Sequence, residues 1–159
     1  MIKYLTNNFS IINLHKKPSA KSEIVTQMIY GDTFSISKNK RKWLKIKIKE
    51  DNYKGYIKNK KFQNFQKPTH KIAVLKAKIY KFPNKLKKIN EITFGSKIRV
   101  TDNKAKFLKF SKGWIGKKNV KPISYKERNP FRKISIFKNI KYKWGGKSFK
   151  GIDCSALLQ

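Results

Sequence analysis

The chain has little negative charge and a single cysteine, and each shortage excludes a class of protein. Of its 159 residues, 41 are Lys or Arg but only 8 are Asp or Glu, so the formal net charge is +33. One cysteine excludes an intrachain disulfide and any zinc site that needs several cysteines. The two histidines, His15 and His70, stand too far apart in sequence for a metal-ligand motif. The sequence therefore indicates no metal and no cofactor, and we expect both histidines to be surface or loop residues.

Long apolar runs are also missing. No stretch approaches the roughly 20 apolar residues of a membrane-spanning helix. Residues 1–14 mix apolar residues with Asn, Ser and Thr, without the continuous apolar core or the small-residue cleavage site of a secretory signal. We therefore expect no membrane span and, if Met1 is the natural start, a cytoplasmic protein.

The basic charge comes almost entirely from lysine. Only Arg41, Arg99, Arg128 and Arg132 are arginine, the residue whose planar fork suits specific recognition of bases. The lysines are spread along the whole chain, and Ile and Asn are frequent too, which is typical of an AT-biased coding sequence. We predict no specific nucleic-acid partner, although the charge favours weak, salt-sensitive attraction to polyanions.

Residues 1–66 carry the pattern of short β-strands separated by turns. The predicted strands are 24–25, 28–30, 34–36, 43–48 and 55–57. In the fourth of these, three aliphatic residues alternate with lysines, which predicts an antiparallel strand with one buried face. The dipeptides Gly-Asp at 31–32 and Asp-Asn at 51–52 supply turn residues.

The same order of strands and turns recurs further along the chain. Gly31 precedes Trp43 by twelve residues, and Gly95 precedes Phe107 by twelve. The tripeptide Gly-Tyr-Ile that ends the first set is matched by a Gly-Trp-Ile that ends the second. A two-fold repeat of about sixty residues predicts two copies of one small β-domain.

The repeats define the predicted domain limits. We place the two copies at 1–66 and 69–122, and a third segment with a different pattern at 124–159. After Pro130 the apolar residues recur at nearly helical spacing, so we predict a helix over 130–139.

The last eighteen residues place the cysteine in a distinctive setting. From residue 142 they read Tyr-Lys-Trp-Gly-Gly-Lys-Ser-Phe-Lys-Gly-Ile-Asp-Cys-Ser-Ala-Leu-Leu-Gln. Asp153 is a good N-cap and the residues after Ser155 favour helix, so we predict Cys154 in the first turn of a helix. There the positive end of the helix dipole favours the nucleophilic thiolate. The pattern indicates a cysteine nucleophile; the alternative is an inert, buried cysteine.

This motif resembles the nucleophile motif of the NlpC-type cell-wall cysteine peptidases over all eighteen residues. The two repeats resemble bacterial SH3 domains, more loosely, through their turn glycines and their Gly-aromatic-Ile ends. Two such repeats followed by this motif resemble the recycling endopeptidases of the dipeptidyl-peptidase VI type, which cut γ-D-glutamyl-diamino-acid bonds. The resemblance implies a mostly β chain: two small SH3-like barrels and the helical start of a papain-like α+β peptidase domain.

The resemblance also implies roles for individual residues. Cys154 would be the nucleophile, Tyr142 would line the site near the oxyanion, and Asp153 and Ser155 would help to hold a peptidoglycan-derived peptide. Trp144 could stack on the substrate or pack beneath the glycines, and packing is the interpretation we favour.

The family also needs a histidine and a third polar residue downstream of the cysteine. No histidine follows Cys154. We therefore expect a chain that is truncated just after the nucleophile motif and inactive by itself, with both residues beyond Gln159.

Two other functions stay open, and the oligomeric state is not indicated. The chain could be a non-catalytic SH3-like module that binds a cell-wall polymer or peptide, or a non-specific binder of polyanions or RNA. The first barrel could be a spacer, or it could wall the active site with Asp51, Tyr53 and Tyr56 facing a substrate amine. For these three residues we favour roles in a turn and in the barrel core.

Overall fold

The computed structural model describes residues 2–158, apart from the side chains of Pro130 and Arg132. The chain is mostly β, and its named strands all pair antiparallel. Met1 and Gln159, the outer limits of the predicted domains, lie outside the described residues. Among the described residues, no helix is both long enough and apolar enough to cross a membrane.

The chain divides into two compact units. Unit 1 comprises residues 2–65 together with residues 140–158, so the cysteine-bearing end of the chain packs with its beginning. Unit 2 comprises residues 66–139.

Unit 1 contains a seven-stranded antiparallel sheet, here called the first sheet. In chain order its strands are β1 (Tyr4–Thr6), β2 (Ile11–His15), β3 (Ile24–Ile29), β4 (Thr33–Lys40), β5 (Trp43–Ile48), β6 (Lys54–Lys58) and β7 (Gln63–Asn64). Across the sheet they are ordered β3-β2-β6-β5-β4-β1-β7. The strands predicted from the sequence are confirmed, and the first two of them form the single strand β3.

The aliphatic residues of the first sheet form its core. In β5, Leu44, Ile46 and Ile48 are buried while the lysines between them reach solvent, which confirms the predicted alternation. The buried cluster comprises Ile12, Leu14, Met28, Phe34, Leu44, Ile46, Ile48 and Ile57. Burying each such side chain stabilises the fold by about 1.5–3 kcal/mol, so this cluster is what holds the strands together.

Unit 2 contains a five-stranded and a three-stranded sheet. Its strands are β8 (His70–Ile72), β9 (Lys76–Tyr80), β10 (Lys88–Thr93), β11 (Lys97–Ile98), β12 (Asp102–Lys104), β13 (Phe107–Phe110), β14 (Gly113–Gly116) and β15 (Val120–Pro122). The larger sheet is ordered β10-β9-β14-β13-β12 and the smaller one β11-β8-β15.

The strand order of unit 1 recurs in unit 2. The neighbours β3-β2-β6-β5-β4 correspond one by one to β10-β9-β14-β13-β12, and β4-β1-β7 correspond to β11-β8-β15. In unit 1, β4 is one continuous strand. The corresponding stretch of unit 2 is divided into β11 and β12, with residues 99–101 between them. The repeat seen in the sequence therefore has a counterpart in the topology.

A close approach between strands explains the glycine of each Gly-aromatic-Ile tripeptide. A Cβ on Gly55 would lie 2.7 Å from the carbonyl oxygen of His15 on the neighbouring strand. A Cβ on Gly113 would lie 2.5 Å from the carbonyl oxygen of Tyr80, again on the neighbouring strand. Both positions exclude a side chain because the opposing atom belongs to the backbone.

The helix predicted over 130–139 is shorter in the structure. Helix α1 (Pro130–Ile134) begins as predicted, with the Asn129 side chain accepting a hydrogen bond from a first-turn N–H group. A 3₁₀ turn at Ser135–Phe137 follows, and Lys138 then leaves the helical region with ψ 132°. The predicted C-terminal end is therefore wrong, because β-branched isoleucines and a serine give this stretch low helix propensity.

Residues 140–158, which we call the cysteine segment, add three short elements to unit 1. They are β16 (Lys147–Ser148), β17 (Gly151–Ile152) and α2 (Cys154–Leu158). The helical start expected for a papain-like domain is not confirmed, since the cysteine segment contains one short helix.

Candidate functional site

The cysteine segment is a small hairpin that leads directly into a helix. Strands β16 and β17 pair antiparallel, with Lys147 opposite Ile152 and Ser148 opposite Gly151. Tyr142 forms an isolated parallel bridge to Ile152, which brings the start of the motif beside its end. Cys154 is the first residue of α2, as the sequence predicted.

Asp153 joins the helix to the Gly-Gly turn. Its Oδ1 accepts hydrogen bonds from the Ala156 N–H at 2.7 Å and from the Ser155 hydroxyl at 2.8 Å. Its Oδ2 accepts a hydrogen bond from the Gly145 N–H at 3.0 Å. The bond to Ala156, three residues on, confirms the predicted N-cap. The Asp153 carboxylate therefore bonds both to the Gly-Gly turn that precedes Cys154 and to the first turn of the helix that contains it.

The Gly-Gly turn leaves no room for side chains. Gly145 has φ 66°, and a Cβ there would lie 2.7 Å from the carbonyl oxygen of Ile24 on β3. A Cβ on Gly146 would lie 2.5 Å from the carbonyl oxygen of Gly151 and 2.8 Å from that of Lys143. The turn is thus pressed against the first sheet on one side and against its own hairpin on the other.

The reactive and aromatic side chains of the segment face solvent. Cys154 is exposed, so the interpretation as a buried, inert cysteine does not hold. Tyr142 and Trp144 are 65% and 64% exposed. The favoured interpretation of Trp144 as a plug beneath the glycines is therefore wrong, because the backbone of the turn itself packs on β3.

The cysteine segment is attached to the first sheet by polar contacts at Lys147. The Lys147 N–H donates to Oε1 of Gln27 at 2.9 Å, and the Gln27 amide in turn donates to Oδ1 of Asn13 at 2.9 Å. The Lys147 ammonium lies 3.2 Å from Oδ2 of Asp51 and 4.0 Å from Oδ2 of Asp32.

These contacts bear on the suggestion that barrel residues meet a substrate amine. Asp51 already pairs with Lys147, and its Oδ1 accepts a hydrogen bond from the Tyr53 N–H at 3.1 Å. Tyr53 itself packs against the buried cluster of the first sheet. The Tyr56 ring has the Lys45 ammonium 5.9 Å from its centre. For Asp51 and Tyr53 the geometry therefore favours the structural roles in the turn and the core.

Glu23 is an acidic group beside the segment that the sequence did not single out. Its carboxylate pairs with the Lys16 ammonium at 3.1 Å. That hydrogen bond and the Lys16 charge hold the pKa of Glu23 below its usual value, and the Trp144 side chain lowers it further to a smaller extent. Glu23 is thus ionised near neutral pH.

The two histidines have unlike surroundings, and neither lies in a loop. His15 is buried on β2, with its ring edge-on to Trp43 at 5.5 Å and its Nδ1 3.0 Å from the Ser22 carbonyl oxygen. The expected surface or loop position is therefore wrong for this residue. His70 lies on β8, where partial burial lowers the pKa of its imidazole. Across residues 2–158, no three His, Cys, Asp or Glu side chains cluster in a way that would hold a metal ion.

Sequence reasoning missed Lys147, Gln27 and Asp32 as parts of this region. Each lies far in sequence from its partner across the interface, and a lysine in a chain with 41 basic residues carries no signal of its own. The scarcity of acidic residues was the usable signal. With only 8 Asp and Glu in the chain, the turn residues Asp32 and Asp51 could have been identified as candidate partners for a buried lysine.

The comparisons with known proteins address the fold. Residues 14–62 match the family described as the bacterial dipeptidyl-peptidase Sh3 domain. No match was found among curated protein sequences. The structure resembles that of an NlpC/P60 family protein from Bacillus cereus ATCC 10987, with a TM-score of 0.79 and 16% sequence identity, over 97% of this chain and 70% of that one.

Two further structures are from Trichomonas vaginalis. NlpC2 and NlpC1 each align with a TM-score of 0.35, at 14% and 15% identity, over 99% of this chain and over 64% and 61% of their own lengths. TM-scores this low support no conclusion about the fold. Residues 14–62 are therefore similar to the bacterial dipeptidyl-peptidase Sh3 domain, and the chain shares the fold of a large part of the Bacillus cereus NlpC/P60 protein.

Proposed function

We propose that the chain is the nucleophile-bearing part of a cysteine peptidase that hydrolyses peptidoglycan stem peptides. The setting of Cys154 carries this proposal. Its thiol is exposed at the first residue of α2, directly after an Asp153 cap that also holds the Gly-Gly turn. A free cysteine with a purely structural role is usually buried. The Sh3-type region and the fold shared with the Bacillus cereus protein support the same family of functions.

In the proposed mechanism, the Cys154 sulfur attacks the carbonyl carbon of the scissile amide. The amine leaves with a proton, and water then hydrolyses the thioester, which restores the thiol and releases a carboxylate. A histidine would accept the thiol proton and pass it to the leaving amine. Neither His15, which is buried in the first sheet, nor His70, which lies on β8, corresponds to the family's downstream histidine. We place the base outside residues 1–159 and expect no turnover by these residues alone.

We further propose that the bond cut joins γ-D-glutamate to a diamino acid. The dipeptidyl-peptidase Sh3 match and the repeated strand order of unit 2, which we interpret as a second bacterial SH3 domain, support this choice. We keep the domain limits at 1–66, 69–122 and 124–159. Tyr142 and Trp144 are exposed and would line the peptide. Asp153 and Ser155, which bond to each other, would act next to the substrate by shaping the turn.

The test uses a longer protein that adds the C-terminal residues, incubated with an L-alanyl-γ-D-glutamyl-diamino-acid peptide. Mass spectrometry should show release of the diamino acid, and Cys154→Ser should abolish it without changing the circular dichroism spectrum. The double variant Cys154→Ser with Ser155→Cys is the matched control, because it keeps one thiol at the helix start but moves it by one position. Full turnover by Cys154→Ser would show that Cys154 is not the nucleophile.

A further inference from the structure

The contact between the cysteine segment and the first sheet contains three charged groups that are largely removed from water. The side chain of Lys147 is 14% exposed, and those of Asp51 and Asp32 are 8% and 3% exposed. Charges taken out of water are costly unless they are paired, so the position of each group depends on the others.

Both carboxylates belong to turns of the first sheet, and hydrogen bonds within those turns fix their positions. Oδ1 of Asp51 accepts from the Tyr53 N–H at 3.1 Å, in the turn between β5 and β6. Oδ2 of Asp32 accepts from the Ile29 N–H at 2.9 Å, in the turn between β3 and β4. The sheet thus presents a fixed pair of negative groups, and Lys147 is the group that reaches them from the cysteine segment.

Lys147 is closely connected to Cys154 through the hairpin. It lies opposite Ile152 in the β16–β17 pair, and Cys154 follows Ile152 by two residues. A second bond from the Lys147 N–H to Gln27 fixes the same residue to β3. A displacement of Lys147 would therefore be transmitted through Ile152 and Asp153 to the cysteine.

We propose that Lys147 is a positioning residue for Cys154: it sets the place of the thiol on unit 1 by pairing with Asp51 and Asp32. This inference rests on the proposed function, in which Cys154 is the nucleophile. It makes the first sheet part of the scaffold of the catalytic site and not a separate spacer. A misplacement of about 1 Å at a reacting group can reduce turnover about a hundredfold, which is why a remote anchor matters.

The charge arrangement predicts unequal effects of the two simplest substitutions. Lys147→Met removes the cation that both buried carboxylates approach, whereas Asp51→Asn leaves Lys147 near Asp32 and keeps the Oδ1 acceptor for Tyr53. Lys147→Met should therefore release the segment more than Asp51→Asn does.

The first experiment measures hydrogen exchange of the Lys147 amide by NMR in the 159-residue chain. This amide is a suitable reporter because its acceptor, Gln27, belongs to the first sheet. We expect exchange to be about tenfold faster in Lys147→Met and less accelerated in Asp51→Asn. Lys150→Met is the matched control, since Lys150 is exposed at the turn of the same hairpin. Equal exchange rates in Lys147→Met and Lys150→Met would overturn the proposal.

The second experiment measures position directly. Nitroxides on Cys154 and on a cysteine introduced at exposed Lys58 of β6 give a distance distribution by electron paramagnetic resonance. We expect a narrow distribution in the wild type and in Lys150→Met, and a clearly broader one in Lys147→Met. If Lys147→Met lowers the unfolding temperature but leaves the distribution narrow, Lys147 only stabilises the fold and the positioning role is wrong.

In the longer protein, Lys147→Met should lower kcat, because it displaces the nucleophile. KM should rise as well, because Tyr142 and Trp144 belong to the same segment. An unchanged kcat would overturn the positioning role even if exchange is faster. If the wild type cleaves no peptide, the proposed function fails, while hydrogen exchange and the distance measurement still decide whether Lys147 sets the position of Cys154. The two failures are therefore distinguishable.

Discussion

At the scale of single residues, the Gly-Gly turn near Cys154 packs so closely against other backbone atoms that neither glycine has room for a Cβ. The glycines of the Gly-Gly turn face carbonyl oxygens of β3 and of their own hairpin. Carbonyl oxygens are part of the paired backbone and cannot rotate away as the end of a side chain can. Substitutions at these glycines should therefore report directly on how tightly the turn is packed.

Gly146→Ala should displace the cysteine segment from its position. The new Cβ would lie 2.5 Å from the Gly151 oxygen and 2.8 Å from the Lys143 oxygen, so the hairpin has to open. We expect a loss of about 1–3 kcal/mol of local stability, measured from amide exchange in residues 145–148. Gly116→Ala is the control, because the nearest atom to its new Cβ is 3.5 Å away and belongs to a side chain. Equal protection in Gly146→Ala and the wild type would contradict this description of the turn.

The ionisation of Glu23 should depend on Lys16. The hydrogen bond from the Lys16 ammonium is the largest cause that lowers the pKa of Glu23. A lowered carboxyl pKa contributes stability that is present above the unfolded pKa and is lost as the pH falls through the folded one. In a ¹³C carboxyl NMR titration, Lys16→Met should move the Glu23 midpoint to higher pH. Lys17→Met, which removes the neighbouring charge on the same loop, should move it less, and equal shifts would show that general charge and not the hydrogen bond is responsible.

At the scale of elements, the cysteine segment is built from pieces that are too short to be stable alone. Helix α2 has five residues and β16 and β17 have two each. Isolated helices of this length are not populated in water, so α2 exists because it is capped and attached to the hairpin. Asp153 caps the helix through Oδ1 and connects it to the Gly-Gly turn through Oδ2.

Asp153→Ala should therefore unwind α2 and loosen the Gly-Gly turn together. Loss of a cap costs about 1 kcal/mol, and the bond to the Gly145 N–H is lost in addition. We expect faster amide exchange at both Gly145 and Ala156. Asp153→Asn keeps acceptor capacity and should have a smaller effect. Faster exchange at Ala156 alone would show that Asp153 is only a helix cap.

At the scale of the whole molecule, the net charge of +33 should act as a general attraction. The lysines are distributed over both units, and many lie at exposed positions of strands and turns. We therefore expect weak nucleic-acid binding that does not depend on base sequence and that falls steeply with salt, because counterion release drives it. Fluorescence anisotropy with several RNA and DNA oligonucleotides at low and moderate salt would measure it. Tight binding of one sequence that survives moderate salt would instead favour a dedicated nucleic-acid function.

The sequence by itself determined the elements whose cause is local. Alternation placed Leu44, Ile46 and Ile48 on one face of β5, and equal spacings from glycine to aromatic predicted a repeat that the strand order of the two units reproduces. The Asp-Cys order placed Cys154 at a helix start, because capping involves only residues within one turn.

Only the tertiary structure decided how the cysteine segment is held. The partners of Lys147 lie at positions 27, 32 and 51, and the Gly-Gly turn packs on Ile24. The same long-range packing left Trp144 in solvent and buried His15 beside Trp43, against both expectations. Such contacts carry no periodic or local signal in the sequence, since they arise when stretches that are distant in the sequence meet. Burial then selects the pairs whose charges and hydrogen bonds are satisfied.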